Sequence, residues 1–237
     1  MMRLDKFLVS QGIGSRSEVQ RTIRSGQVLH NGTVCKKPEQ KTDELHDKIT
    51  YCGEFIEYRK FVYVMLNKPA GVLSATEDKN AKTAVDLLPA DLQRRGVFVA
   101  GRLDKDTEGL LLLTDDGDFA HKVMSPKKGV FKKYYAKLSG SVTAELAQNF
   151  RNGLTLADGT QLKPAFIEVL AGDTSAIVKI CEGKFHQVKR MFETGGLKVL
   201  YLKRLSIGGL ALDEDLPLGK ARLLSDEECE KIFVQSA

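Results

Sequence analysis

Gly101-Arg102-Leu103-Asp104-Lys105-Asp106-Thr107-Glu108-Gly109 runs directly into Leu110-Leu111-Leu112-Leu113. An apolar run of this length reads as a buried strand. The charged segment therefore lies at the end of a core element, where ionised groups are costly unless paired. Arg102 and Asp104 stand two residues apart, and a carboxylate near a guanidinium on a rigid element is how a site keeps a charged nucleophile ready. An ordinary charged turn with a surface ion pair, a weak feature energetically, has the same composition. The neighbouring segments decide between the two.

Val97-Phe98-Val99-Ala100 is the strand that delivers Gly101. Before it, Phe61 to Leu66 is a β-rich strand stopped by the Pro/Gly turn Asn67-Lys68-Pro69-Ala70-Gly71. Val72 to Ala75 resumes a strand, and residues 80–92 form a loop or short helix. After the leucines come a turn at 114–118 and a short helix from Phe119 to Met124. Lys127, Lys128, Lys132 and Lys133 then crowd up to Tyr134-Tyr135. Here Tyr134, Ala136 and Leu138 alternate with Tyr135, Lys137 and Ser139, as on a half-buried strand. A tyrosine beside lysines suits base stacking with phosphates nearby, or else a place in the core. A helix follows over Thr143 to Asn152, then hairpin strands in 154–180, including Ala165 to Leu170 and Ala176 to Ile180. Glu182-Gly183-Lys184-Phe185-His186-Gln187-Val188-Lys189-Arg190-Met191-Phe192 places Val188, Met191 and Phe192 at helical spacing behind polar and cationic groups. His186 is a candidate general base, although a structural histidine is the simpler reading. Val199 to Leu205 is a strand, and Ser225-Asp226-Glu227-Glu228 caps a last helix through about Val234. Many strands and few, separated helices predict α+β with a mixed, mainly antiparallel sheet.

The front of the chain differs in charge. Its first 37 residues hold seven basic and two acidic side chains, so the whole net charge of +5 sits there, the mark of a polyanionic partner. Arg3 to Gln11 reads as a short amphipathic helix, with Leu4, Phe7 and Leu8 at helical spacing. Ser15-Arg16-Ser17-Glu18 is a capping box opening a helix to about Ser25. Val19 and Ile23 fall on one side of that helix, and Arg16, Gln20, Arg21 and Arg24 on the opposite arc. Val28-Leu29-His30, Asn31-Gly32 and Thr33-Val34-Cys35 form a hairpin signal. Lys48 to Tyr51 and Glu54 to Tyr58 add short strands. Residues 2–50 resemble the S4-type RNA-binding module, with Arg3, Lys6, Arg16, Ser17, Arg21 and Arg24 as RNA contacts that position without reading sequence.

No apolar run approaches a membrane span, and the first residues do not read as a signal peptide. Four scattered cysteines fit a reducing cytoplasm, and neither they nor the four histidines have metal-like spacing, so no metal is expected.

The turn at 67–71, the segment 101–110, Lys132-Lys133-Tyr134 and the stretch 182–192 together resemble the RsuA family of pseudouridine synthases. The resemblance covers essentially the whole chain. It implies an S4-like α/β RNA-binding module over 1–58, a linker at 59–61, and over 62–237 a mixed, mainly antiparallel catalytic sheet with flanking helices. It implies isomerisation of a ribosomal RNA uridine to pseudouridine, without metal or organic cofactor, by a cytoplasmic monomer. By motif the catalytic aspartate falls on Asp104, the tyrosine on Tyr134 and the basic partner on Lys189, with Arg190 the second choice. Arg102, Gln187 and Arg190 are implied substrate contacts, with Arg102 holding the target nucleotide out of its stack. Related sequences often carry threonine before the tyrosine and valine two residues after it, where this chain has Lys133 and Ala136. The run from His186 to Arg190 looks more like the small-subunit enzymes, which implies a uridine in 16S RNA, in an assembly intermediate. A large-subunit (23S) target is the alternative within the class, and a non-catalytic ribosome-associated RNA-binding protein the alternative outside it.

Overall fold

Leu4, Phe7 and Leu8 lie buried on one side of helix α1 (Leu4–Ser10), against Val19 and Ile23 of α2 (Arg16–Arg24). The computed structural model describes residues 1–234. The capping box forms as read: Glu18 N donates to Ser15 Oγ, and Ser15 N donates to Glu18 Oε2 at 2.8 Å. Strand β1 (Met2–Arg3) precedes α1 and pairs with β4 (Lys41–Thr42). The helices pack on a sheet ordered β3-β2-β5-β6, built from β2 (Val28–His30), β3 (Thr33–Val34), β5 (Ile49–Tyr51) and β6 (Glu54–Ile56). The β2–β3 turn has positive φ at Asn31 and Gly32, as a two-residue hairpin requires. Cys52-Gly53 repeats the device between β5 and β6, a turn not anticipated because Cys-Gly is no turn signature.

By contacts the chain forms two compact units: Met1–Val62 with Leu88–Val97, and Tyr63–Leu87 with Phe98 onward. In the first, Arg95 of the segment after helix α3 (Ala90–Arg94) donates to Gln11 Oε1 and to the carbonyls of Arg59 and Lys60.

Asp5 is 1% exposed and holds this unit's polar interior together. Arg3 grips both carboxylate oxygens at 3.0 and 2.9 Å, and Gln20 Nε2 donates at 2.7 Å. The Arg3 hydrogen bonds, then Gln20, outweigh burial and hold the carboxyl at about 2. The depressed value means stability that is present above the free carboxyl range near pH 4 and lost as pH falls through about 2. Asp5→Asn is therefore expected to cost roughly 2 kcal/mol at pH 7. Urea titrations of wild type and variant should converge as pH is lowered from 4, and a constant gap would contradict this.

The second unit is a nine-stranded sheet ordered β11-β12-β10-β13-β9-β7-β15, with β14 on β13 and β8 on β9. Its strands are β7 (Tyr63–Lys68), β8 (Phe98–Ala100), β9 (Glu108–Thr114), β10 (Lys132–Leu138), β11 (Phe166–Val169), β12 (Ser175–Ile180), β13 (Val199–Ile207), β14 (Leu210–Ala211) and β15 (Ala221–Leu223). It is mixed and mainly antiparallel: only β13 and β9 run parallel. Leu110 to Leu113 are all but fully buried. Helices α4 (Gly117–Met124) and α7 (Asp226–Lys231) and the strands beneath them enclose Met65, Leu110, Leu112 and Ile207. Helices α5 (Ala144–Asn152) and α6 (Gln187–Glu193) meet through Phe150 and Phe192, ring centroids 5.0 Å apart.

Three local expectations change. Residues 72–75 form no strand beyond a bridge from Leu73 to Thr83, because Ser74 turns to Leu103. Between 154 and 164 only Thr155 and Gln161 pair. Helix α7 ends at Lys231, not Val234.

One feature of the sheet sets up the site. On one side of β9, β13 pairs at residues 108–109 and β8 at residues 112–114, so the sheet forks there. Gly109 has φ +100°, and a Cβ on it would sit 2.3 Å from the Arg204 carbonyl oxygen. Glycine is what lets β9 lie against β13 at the fork. The segment 101–107 leaves the sheet at this point.

Candidate active site

The 101–107 loop is held from several directions. The Ser74 hydroxyl donates to Leu103 O and accepts from Leu103 N, at 2.8 and 3.0 Å. Thr107 N donates to Asp104 O, and Gly71 N to Lys105 O. Lys68, at the end of β7, is fully buried, and its ammonium donates to the carbonyls of Pro69, Lys105 and Thr107 at 3.0, 3.2 and 2.8 Å. Burial pushes this amine down to about 8, against the raising effect of Asp106, Glu108 and Asp104. Arg204, 2% exposed, fills the fork: Nε donates to Leu110 O at 2.7 Å, Nη2 to Gly101 O at 2.9 Å, and Nη1 reaches the Tyr134 hydroxyl at 3.5 Å.

Asp104 is thereby presented to an open cleft lined among others by Arg102, Thr107, Tyr134, Ile180, Gln187 and Leu202. Its carboxylate meets a lysine and a histidine from the 186–189 segment. Lys189 Nζ lies 3.2 Å from Oδ2, and His186 Nε2 lies 3.6 Å from Oδ1. Lys189 is also 2.6 Å from Asp106 Oδ1. Burial alone would lower the Lys189 amine, but Asp106 and Asp104 together raise it, so the cation stays charged. The same contact lowers the Asp106 carboxyl.

The structure thus brings together Asp104, Tyr134, Lys189, Arg102 and Gln187, and separates Arg190. Tyr134 is 8% exposed yet borders the cleft, so the stacking and core readings coincide in one residue. Tyr135 lies on the opposite face, against Tyr201. Arg102 is exposed and makes no ion pair among the described residues. Gln187 borders the cleft, but its amide is engaged: Nε2 donates to Glu182 Oε1, and Oε1 accepts from Lys184 N. It shapes the 182–187 loop rather than offering a free amide to substrate. Arg190 points away to Asp158 Oδ2 at 2.6 Å, because Lys189 and Arg190 leave a helix 100° apart. Of the lysines before the tyrosine, Lys132 is buried and donates to the carbonyls of Val123 and Val130, so it is no phosphate contact.

In the first unit, Lys6, Arg16, Ser17, Arg21 and Arg24 are exposed. Arg3 is committed to Asp5, and Arg16 Nε lies 3.7 Å from the same carboxylate. The Arg3 guanidinium stays partly exposed while it pairs with Asp5.

Sequence reasoning missed Lys68, Ser74, Asp106, Arg204 and Thr107, and did not place His186 beside Asp104. Thr107 borders the cleft, 1% exposed, with a hydroxyl that has no hydrogen-bond partner among the described residues. His186 takes a left-handed conformation at the start of α6, φ 49° and ψ 32°, which aims its ring toward Asp104. Non-glycine residues adopt that region at a cost, and such strain collects at functional sites. Among the described residues no cluster of three side chains suits a metal ion, and no helix is long and apolar enough to cross a membrane.

Residues 62–194 match the RNA pseudouridylate synthase family, and residues 2–44 match the S4 domain. The chain belongs to this family of isomerases and carries an S4 domain at its N-terminus. It is 45% identical over 230 residues to the uncharacterised RNA pseudouridine synthase YtzG of Bacillus subtilis, covering 96% of each chain. It is 40% identical to ribosomal small subunit pseudouridine synthase A of Vibrio cholerae and 38% to that of Escherichia coli (K12), covering 98% of this chain and 100% of each relative. A crystal structure of a pseudouridylate synthase superposes with a TM-score of 0.69 at 35% identity, over 98% of this chain and 100% of that one.

Proposed function

We propose that this chain isomerises one uridine of 16S ribosomal RNA to pseudouridine, with Asp104 as the catalytic carboxylate. The observation that carries the reading is the Asp104 carboxylate, pinned from behind and opening onto a cleft whose wall is Tyr134. The relatives named for the small ribosomal subunit support the choice of RNA.

In the reaction the C1′–N1 bond breaks, the uracil turns while held, and C1′ bonds to C5. The C5 proton is lost and N1 gains one, so atoms balance without a co-reactant. Asp104 acts on the ring, on the sugar carbon, or as base toward a sugar proton. Each route places the carboxylate beside the Lys189 ammonium, 3.2 Å from Oδ2. Tyr134 stacks on the detached base, and its hydroxyl, beside Arg204, helps remove the C5 proton. The target must leave its helix to reach the cleft, at an unstacking cost of a few kcal/mol. Arg102 takes the place of the extruded nucleotide. The exposed bases of the S4 domain, over 1–58, anchor flanking RNA and leave catalysis to 62–237. The protein acts as a cytoplasmic monomer on an assembly intermediate.

Reverse-transcription mapping of pseudouridine in cells lacking the protein tests this. One 16S position should lose its mark and regain it on complementation. Loss of a 23S mark instead would move the target to the large subunit, and no lost mark would leave a ribosome-associated binding protein.

A further inference from the structure

Phe185 is 74% exposed, the most solvent-facing of the exposed phenylalanines among the described residues. Its ring stacks on His186, centroids 3.8 Å apart and planes 18° from parallel. His186 in turn reaches Asp104 at 3.6 Å, so the ring is one stacked neighbour from the carboxylate. The backbone on both sides is anchored. Lys184 N donates to Gln187 Oε1, the Lys184 ammonium bonds the Gln161 carbonyl, and Arg190 N donates to His186 O. Lys184 and His186 both border the cleft while the ring between them stays in water. An apolar ring exposed to solvent between Lys184 and His186 contributes little to the core and suits a flat, unstacked base.

We propose that Phe185 is a positioning residue: it receives the nucleotide flanking the extruded uridine, continuing the stack that extrusion interrupts. The inference rests on the reading of the cleft given above. Removing a base from a helix leaves its neighbour without a stacking partner, and an aromatic platform restores that contact for any base. The ligand is therefore a nucleobase adjacent to the target, taken without regard to its identity.

The test is steady-state tritium release from 16S transcript labelled at uridine C5, with the full chain. Phe185→Ala should raise KM roughly 10- to 100-fold, the loss expected for one base–aromatic stack, with kcat within about threefold. Phe185→Tyr should restore the wild-type KM, whereas Phe185→Leu, apolar but without a π face, should behave like alanine. An unchanged KM in Phe185→Ala, or a leucine variant as good as tyrosine, would overturn the proposal while leaving the enzymatic reading intact. Absence of tritium release by the wild-type chain from labelled 16S transcript, from 16S RNA in ribosomal assembly intermediates and from 23S transcript would instead defeat the enzymatic reading, and the stacking role with it. Unchanged melting temperatures across the series are expected, since the ring buries little.

Discussion

Asp104→Asn is expected to reduce pseudouridine formation at least about 10³-fold, the scale for removing the reacting group of a covalent or acid–base catalyst. The substitution is isosteric, so the loop should keep its shape. It should also cost little stability. Removing one partner of a buried ion pair normally leaves a stranded charge, but Lys189 is shared and keeps Asp106 at 2.6 Å. RNA affinity should thus stay within a few-fold of wild type while single-turnover conversion collapses. An asparagine variant that restored the ribosomal mark in complemented cells would remove Asp104 from the chemistry.

The second large effect is expected far from solvent. Lys68→Met keeps the length of the side chain and removes the ammonium beneath the loop. Three carbonyls lose this donor, though Lys105 O keeps Gly71 N; unpaired carbonyls cost roughly 1–3 kcal/mol each. Against this, holding the amine at about 8 instead of near 10.5 costs about 3 kcal/mol at neutral pH, which the variant is spared. The two terms nearly cancel, so the melting temperature should move by only a few degrees. Activity should fall by about 10²-fold, because a displacement of about 1 Å at the reacting group costs that much. The pH dependence supplies an independent check. Between about pH 8 and 10.5 the unfolded chain binds more protons at this lysine than the native one, so wild-type stability contains a component rising with pH, absent from the variant. A large loss of stability with normal kcat would reverse the assignment of Lys68 from positioning to packing.

Much of the first unit was legible because its signals are local. Ser15 and Glu18 satisfy each other within one turn, and Asn31-Gly32 closes a hairpin with no help from afar. The leucine run and the alternation around Tyr134 likewise specify burial through their own periodicity. Short strands such as Lys41–Thr42, Leu210–Ala211 and Ala221–Leu223 carry no such pattern and exist through their partners.

The site divides along the same line. Asp104, Tyr134 and Lys189 could be named from motifs, yet their contacts depend on residues 30 to 85 positions apart. Lys189 serves Asp106 as well as Asp104, and Arg190 goes to Asp158, pairings between segments far apart in the chain. Lys68 and Arg204 look from sequence like ordinary strand-end cations, and their burial is decided by the fork where β8 and β13 share one edge of β9. The amino-acid order alone determined the two modules, the buried strands and the carboxylate at the end of one of them, because propensity and periodicity act over a few residues. Only the tertiary structure decided which cations stand behind that carboxylate and which face it, because charges are paired by proximity in space, and proximity between distant segments is created by packing.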